Sequence, residues 1–544
     1  MSKYKGIIRM FTSQTAVYLG ILIHISLCIS VTWHALYSRK EASSLLIWLI
    51  ITYNIPYFGA LLYFGFGVNK INVARFGRRV LTEQILNSKY TTPDKKIKMS
   101  EFLASYRADQ SKPMSTELSE ECANNFHEIC KESASSEFSG ECDDTLNKIC
   151  KNLATSKFSR EFDDALSNIY RLSAVVGYNK ITPLITGDEF YPELMKEIAQ
   201  AEHHIHIQSF IILRDEIGVA LMEALKKKAE SGVSVRVMYD TLGSTKAHLT
   251  RFFTKYKKIK NMHIVGWTIA NPLKKQLQIN LRNHRKSAII DGKIAFFGGI
   301  NLHKENITRG DLQPIRDYHF KIEGPGVVEL QYEFFRDWLF MTDVSNETLF
   351  NSSYFLELES CGDANVRFIN TGPEIDSTPM TDLYFLAITR AKKSIIAVTP
   401  YFLPNPEILQ ALKNAKNTGV DVRIITPKKN NHKYAELAAK GNYSALLECG
   451  VEIYERAEPF MHAKAMIIDD EIVIAGSSNL DVRSLTLNYE SNAVIYSEKF
   501  AQQFKAIVLF DQAQSEPILY NDWIKRSKFE VILEDICNLL APVI

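Results

Sequence analysis

Two short stretches carry residue types that could handle a phosphodiester. His284-Arg285-Lys286 opens HRKSAIIDGKIAFFGGINL, and His462-Ala463-Lys464 opens HAKAMIIDDEIVIAGSSNL. Aligned, they share the His, the Lys, an Ile-Ile-Asp run ending at Asp291 or Asp469, a Gly, and an Asn-Leu pair at Asn301 or Asn479. A neutral imidazole is a competent nucleophile at phosphorus. A second imidazole can protonate a departing alcohol and later deprotonate an incoming one. Two ammonium groups and two amides can hold the diester and spread the charge of its transition state. The two imidazoles must differ in protonation, so their surroundings must push their pKa values apart. This chemistry calls for no metal and no cofactor, and no carboxylate cluster in the sequence suggests one. A lone His-x-Lys is usually a pair of surface residues; two copies with matched Asp and Asn partners are a much stronger signal.

The elements that position these groups follow from the pattern around them. In an extended strand residues i and i+2 share a face, so His284 projects with Lys286 and His462 with Lys464. Asp291-Gly292 and Asp469-Asp470 read as hairpin turns, whose return strands carry Asn301 and Asn479 back to the same end. A larger duplication surrounds the motifs. ELMKEIAQAEHHIHIQSFIILRDEIGVALMEALKKKAESGVSVRVMYD is matched by YFLAITRAKKSIIAVTPYFLPNPEILQALKNAKNTGVDVRIITP. Each reads as a helix ending at an alanine (Ala201, Ala391), an apolar strand, a second helix, then Gly-Val-x-Val-Arg from Gly232 or Gly419. The alternation predicts an α/β class: two mixed-sheet sandwich domains, residues 176–350 and 351–544, in a pseudo-twofold arrangement with one shared cleft.

The rest of the chain bounds where this chemistry would run. Lys+Arg number 64 against 62 Asp+Glu, which argues against a nucleic-acid binder working through bulk charge. Ala16–Leu36 and Leu45–Phe66 lack Asp, Glu, Lys and Arg, and each is long enough to cross a hydrocarbon core of ~30 Å. Residues 1–79 are therefore expected to form a two-helix transmembrane hairpin (helices about 16–36 and 45–66), with Asn54, Pro56 and Gly59 kinking the second helix. Lys3, Lys5 and Arg9 precede it and Lys70, Arg75, Arg78 and Arg79 follow it, while Glu41 offsets Arg39 and Lys40 in the linker. That asymmetry places both ends, and the catalytic domains, in the cytoplasm. Residues 80–175 read as a helical linker with segments opening at Glu121, Glu141 and Glu161, twenty residues apart. Their apolar positions recur at helical spacing. The eight cysteines follow no metal-ligand spacing and read as free thiols.

The pattern His-x-Lys-(x)4-Asp, present twice, resembles that of the phospholipase D superfamily. LRNHRKSAIIDGKIAFFGGINL, RDYHFKIEGP, TPYFLP and HAKAMIIDDEIVIAGSSNLDVRSLTLNYESNAV are similar to bacterial cardiolipin synthases, as is the apolar LLYFGFG. The resemblance covers about residues 16–66 and runs from about Gly177 to the C-terminus; the repeats lie outside it. The family usually has Trp before Arg-Asp after the first motif, where this chain has Ile315, a change expected to affect packing. The resemblance implies a site lined by His284, Lys286, Asn301, His462, Lys464 and Asn479. Asp291 and Asp469 belong to the motif but are expected to brace the hairpins. Asp317 and Glu490 would orient the imidazoles, and analogy favours His284 as the nucleophile.

The resemblance also implies transfer between two phosphatidylglycerol molecules in a bacterial cell membrane, giving cardiolipin and glycerol without a nucleotide. A phospholipase D or a headgroup-exchange enzyme would use the same residues. A nuclease fits less well, because two membrane segments accompany two motifs. Other residues are set aside. His203, His204 and His206 lack the further ligands a zinc site needs. His319 reads as a packed strand residue, and Lys226-Lys227-Lys228 as a solvated helix face. Lys274, Lys275, Arg282 and Arg285 could form a basic rim for lipid headgroups or simply be exposed.

Overall fold

The computed structural model describes residues 2–37, 42–64, 89–91, 96–98, 156–170, 173, 175–267, 270–271, 276–277, 281–342, 353–356, 358–372 and 378–540. The first two of the three twenty-residue segments lie almost wholly outside the described residues.

Near the N-terminus, helix α1 (Ser2–Tyr37) contains the apolar stretch Ala16–Tyr37, 22 residues long. At 1.5 Å per residue this is about 33 Å, enough to cross a bilayer. Helix α2 (Ala42–Asn54) stops short of the expected second span. Pro56 has no N–H and disfavours helix at Ile55; the chain turns through Tyr57, at φ 62°, into a short helix at Phe58–Leu62. Among the described residues one helix is long and apolar enough to span. The pieces pack together through Val31, Ala35, Trp48, Ala60 and Tyr63, and His34 Nδ1 lies 2.9 Å from the Tyr63 hydroxyl.

Fifteen strands form one continuous sheet. The first half contributes β1 (Val176–Ile185), β2 (His204–Ser209), β3 (Ser234–Asp240), β4 (Met262–Trp267), β5 (Ser287–Ile290), β6 (Ile294–Gly298) and β7 (Tyr318–Glu323). The second half contributes β8 (Ala364–Thr371), β9 (Ser394–Val398), β10 (Asp421–Pro427), β11 (Glu452–Arg456), β12 (Ala465–Ile468), β13 (Ile472–Gly476), β14 (Glu490–Tyr496) and β15 (Ser515–Pro517). The halves join where β1 pairs with β8. Outward from that join the order is β7-β6-β5-β2-β3-β4 on one side and β14-β13-β12-β9-β10-β11 on the other, with β15 beyond. Counterparts thus occupy matching places. Fully buried Asn179 seals the join, donating to the carbonyls of Val176 and Ala364 while its own oxygen takes the Gly326 N–H.

Inside each half, parallel pairs (β2–β3, β3–β4; β9–β10, β10–β11) adjoin antiparallel hairpins (β5–β6; β12–β13). Strands β2 and β9 are buried almost throughout, whereas β10 alternates at its start, with Asp421 and Arg423 half-buried between buried Val420, Val422 and Ile424.

Helix α3 (Lys157–Ile169), from the third repeat, is not part of a free linker. It packs on the second half, about 200 residues away in sequence, with Phe162 and Leu166 fully buried. Asp163 accepts from Arg367 Nε at 2.7 Å and Nη2 at 2.9 Å, and from the Tyr496 hydroxyl at 2.7 Å. Removing one member of a buried ion pair leaves an uncompensated charge, worth roughly 3–5 kcal/mol. Asp163→Ala is therefore expected to lower unfolding stability by about 3 kcal/mol, read by denaturant titration. Exposed Asp164→Ala should stay within about 0.5 kcal/mol.

Candidate active site

Each motif enters the sheet through an extended run just ahead of β5 or β12, and that run is pinned across the seam. The His284 N–H donates to the Tyr489 carbonyl at 2.9 Å, and the His462 N–H donates to the Arg316 carbonyl at 2.8 Å. Tyr489 precedes Glu490, and Arg316 precedes Asp317. The backbone pairing therefore sets each histidine beside the carboxylate of the opposite half. Glu490 lies 3.0 Å from His284 Nδ1, and Asp317 lies 2.7 Å from His462 Nδ1. An Nδ1–H given to a carboxylate leaves Nε2 with its lone pair free, the tautomer a nucleophile or general base needs.

Burial dominates the electrostatics. It lowers the His284 pKa against the pull of Glu490, with Lys286 and Lys464 adding to the depression. Burial and Lys464 push His462 further, to about 3, against the pull of Asp317. Burial also brings Lys286 down to about 7 and Lys464 to about 8. The carboxylates behave oppositely. Burial raises Asp317, but Lys464 and His462 outweigh it; burial raises Glu490, but His284 and Lys286 outweigh it, so both stay ionised. Each lysine is felt by the histidine of the other motif, which puts the four groups in one electrostatic cluster. Each ammonium also reaches the carbonyl of its own motif histidine, at 2.5 Å for Lys286.

Asp291 and Asp469 do not belong to that cluster. They sit past the far ends of β5 and β12, five residues from the lysines, or about 16 Å of strand. Asp291 and Gly292 have φ of 53° and 65°, Asp469 and Asp470 54° and 63°, the signature of type I′ hairpin turns. The Asp291 carboxylate accepts N–H bonds from Glu202, His203 and His204, and that of Asp469 from Lys392, Lys393 and Ser394. Each brace fixes the start of β2 or β9 beside the motif strand. The asparagines are both buried. Asn301 takes the Ile211 N–H at 3.2 Å; Asn479 donates to Asp481 at 2.9 Å, and its Oδ1 has no hydrogen-bond partner among the described residues.

The basic rim needs correction. Arg285 is 2% exposed, with Nη1 2.7 Å from Glu333 and 2.5 Å from Asp337, and Arg282 is largely buried near Asp240. Lys274 and Lys275 lie outside the described residues. His204 and His206 are fully buried and bridged by Gln331; burial and His203 hold the His204 pKa down to about 4. Among the described residues no group of His, Cys, Asp and Glu side chains could hold a metal. His319 packs against Phe190 at 4.0 Å between ring centroids.

Sequence reasoning missed the supports of the carboxylates. The Ser477 hydroxyl donates to Glu490 Oε2 at 2.6 Å. Its counterpart is Gly299, where a Cβ would stand 2.1 Å from Asp317 Oδ1. Phe210 lies edge-on to His284 at 5.0 Å, and Tyr401 to His462 at 6.3 Å. Comparing GGIN with GSSN in the two motifs was the available signal.

A duplicated α/β half with one His-x-Lys motif in each, meeting at a carboxylate-swapped seam, defines a two-motif phospholipase D-like protein. The model for the "Cardiolipin synthase, PLD-like domain" matches residues 194–338 and 384–511. Cardiolipin synthase 1 of Bacillus cereus is 38% identical over 370 residues, 67% of this chain and 72% of that one. Cardiolipin synthase 2 of Staphylococcus epidermidis is 35% identical over 370 residues, 67% of this chain and 75% of that one. The fold of a phosphatidylserine synthase from Haemophilus influenzae aligns with TM-score 0.54 at 15% identity, over 70% of this chain and all of that one. The chain belongs to the cardiolipin synthase family.

The depressed lysines set a pH dependence. Both are charged below about pH 7, and an anionic diester needs that charge to bind. kcat/KM should therefore fall as pH rises through 7 to 8. Lys464→Arg, which stays protonated, should remove part of that fall. A profile flat to pH 9.5 would contradict this electrostatic reading.

Proposed function

We propose that the chain is a cardiolipin synthase that moves a phosphatidyl group between two phosphatidylglycerol molecules through a phosphohistidine. The observation carrying this reading is the pair of swapped couples, His284–Glu490 and His462–Asp317, beside Lys286 and Lys464. The two halves act as a pseudo-twofold pair with one reaction centre at the seam. His284 Nε2 attacks phosphorus, and the bond from phosphorus to the glycerol oxygen breaks. His462, as imidazolium, gives its proton to that oxygen. The primary hydroxyl of a second phosphatidylglycerol then attacks the phosphatidyl-histidine and yields its proton to His462. Cardiolipin leaves, and both imidazoles return to their starting state.

Lys286, Lys464, Asn301 and Asn479 hold the non-bridging oxygens, while Asp291 and Asp469 act through the strands they brace. Burial is the largest cause of the depressed His462 pKa and Lys464 the next; an anion between the lysines offsets the second and so favours uptake of the proton that His462 must donate. The diester bond energy is retained, so no nucleotide is consumed. The apolar N-terminal helix fits substrates that stay in a bilayer. In this reading the broken second run also crosses, making a two-pass anchor in a bacterial membrane with the catalytic domains in the cytoplasm.

Purified protein in detergent, given headgroup-labelled phosphatidylglycerol, is expected to release labelled glycerol and form cardiolipin. Phosphatidic acid as the sole lipid product would make it a phospholipase D instead. His284→Ala and His462→Ala should each lower kcat by roughly 10⁴ or more, as for residues acting as one unit. Turnover quenched in alkaline detergent, where a phosphorus–imidazole bond survives, should leave phosphatidyl label on protein in the wild type but not in His284→Ala, and acid should release it.

A further inference from the structure

We propose that Arg285, the residue between the histidine and lysine of the first motif, is a positioning residue that holds the His284–Glu490 couple across the seam. The proposal rests on His284 being a reacting group. Along the extended run its side chain points away from the face shared by His284 and Lys286, into the interior between the halves. Nε donates to the Glu490 carbonyl at 3.2 Å, and Nη2 donates to the Thr371 carbonyl at 2.8 Å. Glu490 and Thr371 are register partners at the ends of β14 and β8, so one guanidinium clips both strand ends of the second half to the motif of the first. Helix α4 (Val327–Met341) supplies the counter-charge, with Glu333 at 2.7 Å and Asp337 at 2.5 Å from Nη1. Asp337 is itself fixed by Asn283 at 3.0 Å and Gln208 at 2.5 Å. The Tyr489 ring lies 5.4 Å from the guanidinium carbon, and the Tyr489 carbonyl takes the His284 N–H.

The duplication shows that this clamp is specific to one couple. The residue matching Arg285 is Ala463, which is fully buried and has no such reach. The His462–Asp317 couple is held by other means. Arg316 reaches Asp511 at 2.8 Å, and Arg456 and Tyr318 bind the same carboxylate at 2.9 and 2.6 Å. A lysine at 285 would keep the charge but could not fork to two carbonyls and a carboxylate. His284 faces Glu490, Lys286 and Lys464, with Asp317 and His462 in the same cluster; Ser477 and Asn488 donate to Glu490. Arg285 reaches Glu490 through that residue's carbonyl.

The test uses the full chain in mixed micelles with phosphatidylglycerol. Arg285→Lys is expected to lower kcat at least 30-fold with KM within about 3-fold. A loosened Glu490 supports the imidazolium less, so the limb of the pH profile governed by His284 should move to lower pH. It should be the limb that Glu490→Asp moves, while the limb moved by Asp317→Asn stays in place. Should Arg285→Lys melt early, the charge-balanced Arg285→Gln/Asp337→Asn is expected to recover melting temperature but not kcat. Wild-type kcat and pH profile in Arg285→Lys overturn the proposal. So does recovery of kcat along with stability in the double variant. Full turnover by His284→Ala would instead overturn the underlying assignment of His284.

Discussion

A ring nitrogen of each motif histidine is hydrogen bonded to a carboxylate from the other half of the chain, Glu490 for His284 and Asp317 for His462. Neither half can orient its own imidazole. The sheet explains how the exchange is achieved. Asp317 and Glu490 stand at the starts of β7 and β14, the strands next to the central β1–β8 pair on either side. The strands nearest the join therefore carry the groups that must cross it. Hydrogen bonding through the sheet makes that spacing rigid, and a shift of one residue would turn each carboxylate to the opposite face.

The two half-sites descend from one plan and have diverged where a charge must be held. Glu490 is one methylene longer than Asp317 and gains a hydroxyl donor from Ser477, while the shorter Asp317 sits against Gly299, where any side chain would collide with it. The chain has kept the two geometries similar with different atoms. In the proposed reaction that difference matters, because a nucleophile and an acid must differ in proton affinity. The lysines differ too: burial and then Lys464 depress His462, and Lys464 lies 2.9 Å from His462 Nδ1, whereas the contact of Lys286 is with the His284 carbonyl.

Much of this arrangement was legible in the chain itself. Duplicated apolar runs and Gly-Val-x-Val-Arg entries marked the strands, because each buries at least one full face of alternating side chains. Aspartates followed by Gly or Asp marked the turns, since few other residues adopt left-handed backbone. Which carboxylate serves which histidine was not legible, because it depends on pairings such as His284 with Tyr489 that no local pattern encodes. Arg285 read as a surface charge for the same reason. Its partners Glu333, Asp337, Thr371 and Glu490 are spread over 158 positions, and only the folded seam brings them to one guanidinium. Helix α3 read as linker, although Asp163 meets Arg367 and Tyr496 inside the second half. In the second apolar run the sequence marked Asn54, Pro56 and Gly59 as a kink, and the break there is complete enough to end one helix at Asn54 and start another at Phe58.

Burial lowers both motif histidines and both motif lysines, while the two carboxylates stay ionised, so the pocket holds less positive charge than its residue types suggest. A phosphodiester anion supplies what that environment lacks. In the proposed reaction burial still holds these groups down, but the anion raises the lysine pKa values and offsets the lysine contribution to the histidine that acts as acid. Binding and activation are then one electrostatic event. In the proposed reaction a neutral alcohol or water does not charge the site by itself, and reactive protonation belongs to the time when a diester is bound. The burial that weakens each base in isolation is therefore what links its charged state to the substrate.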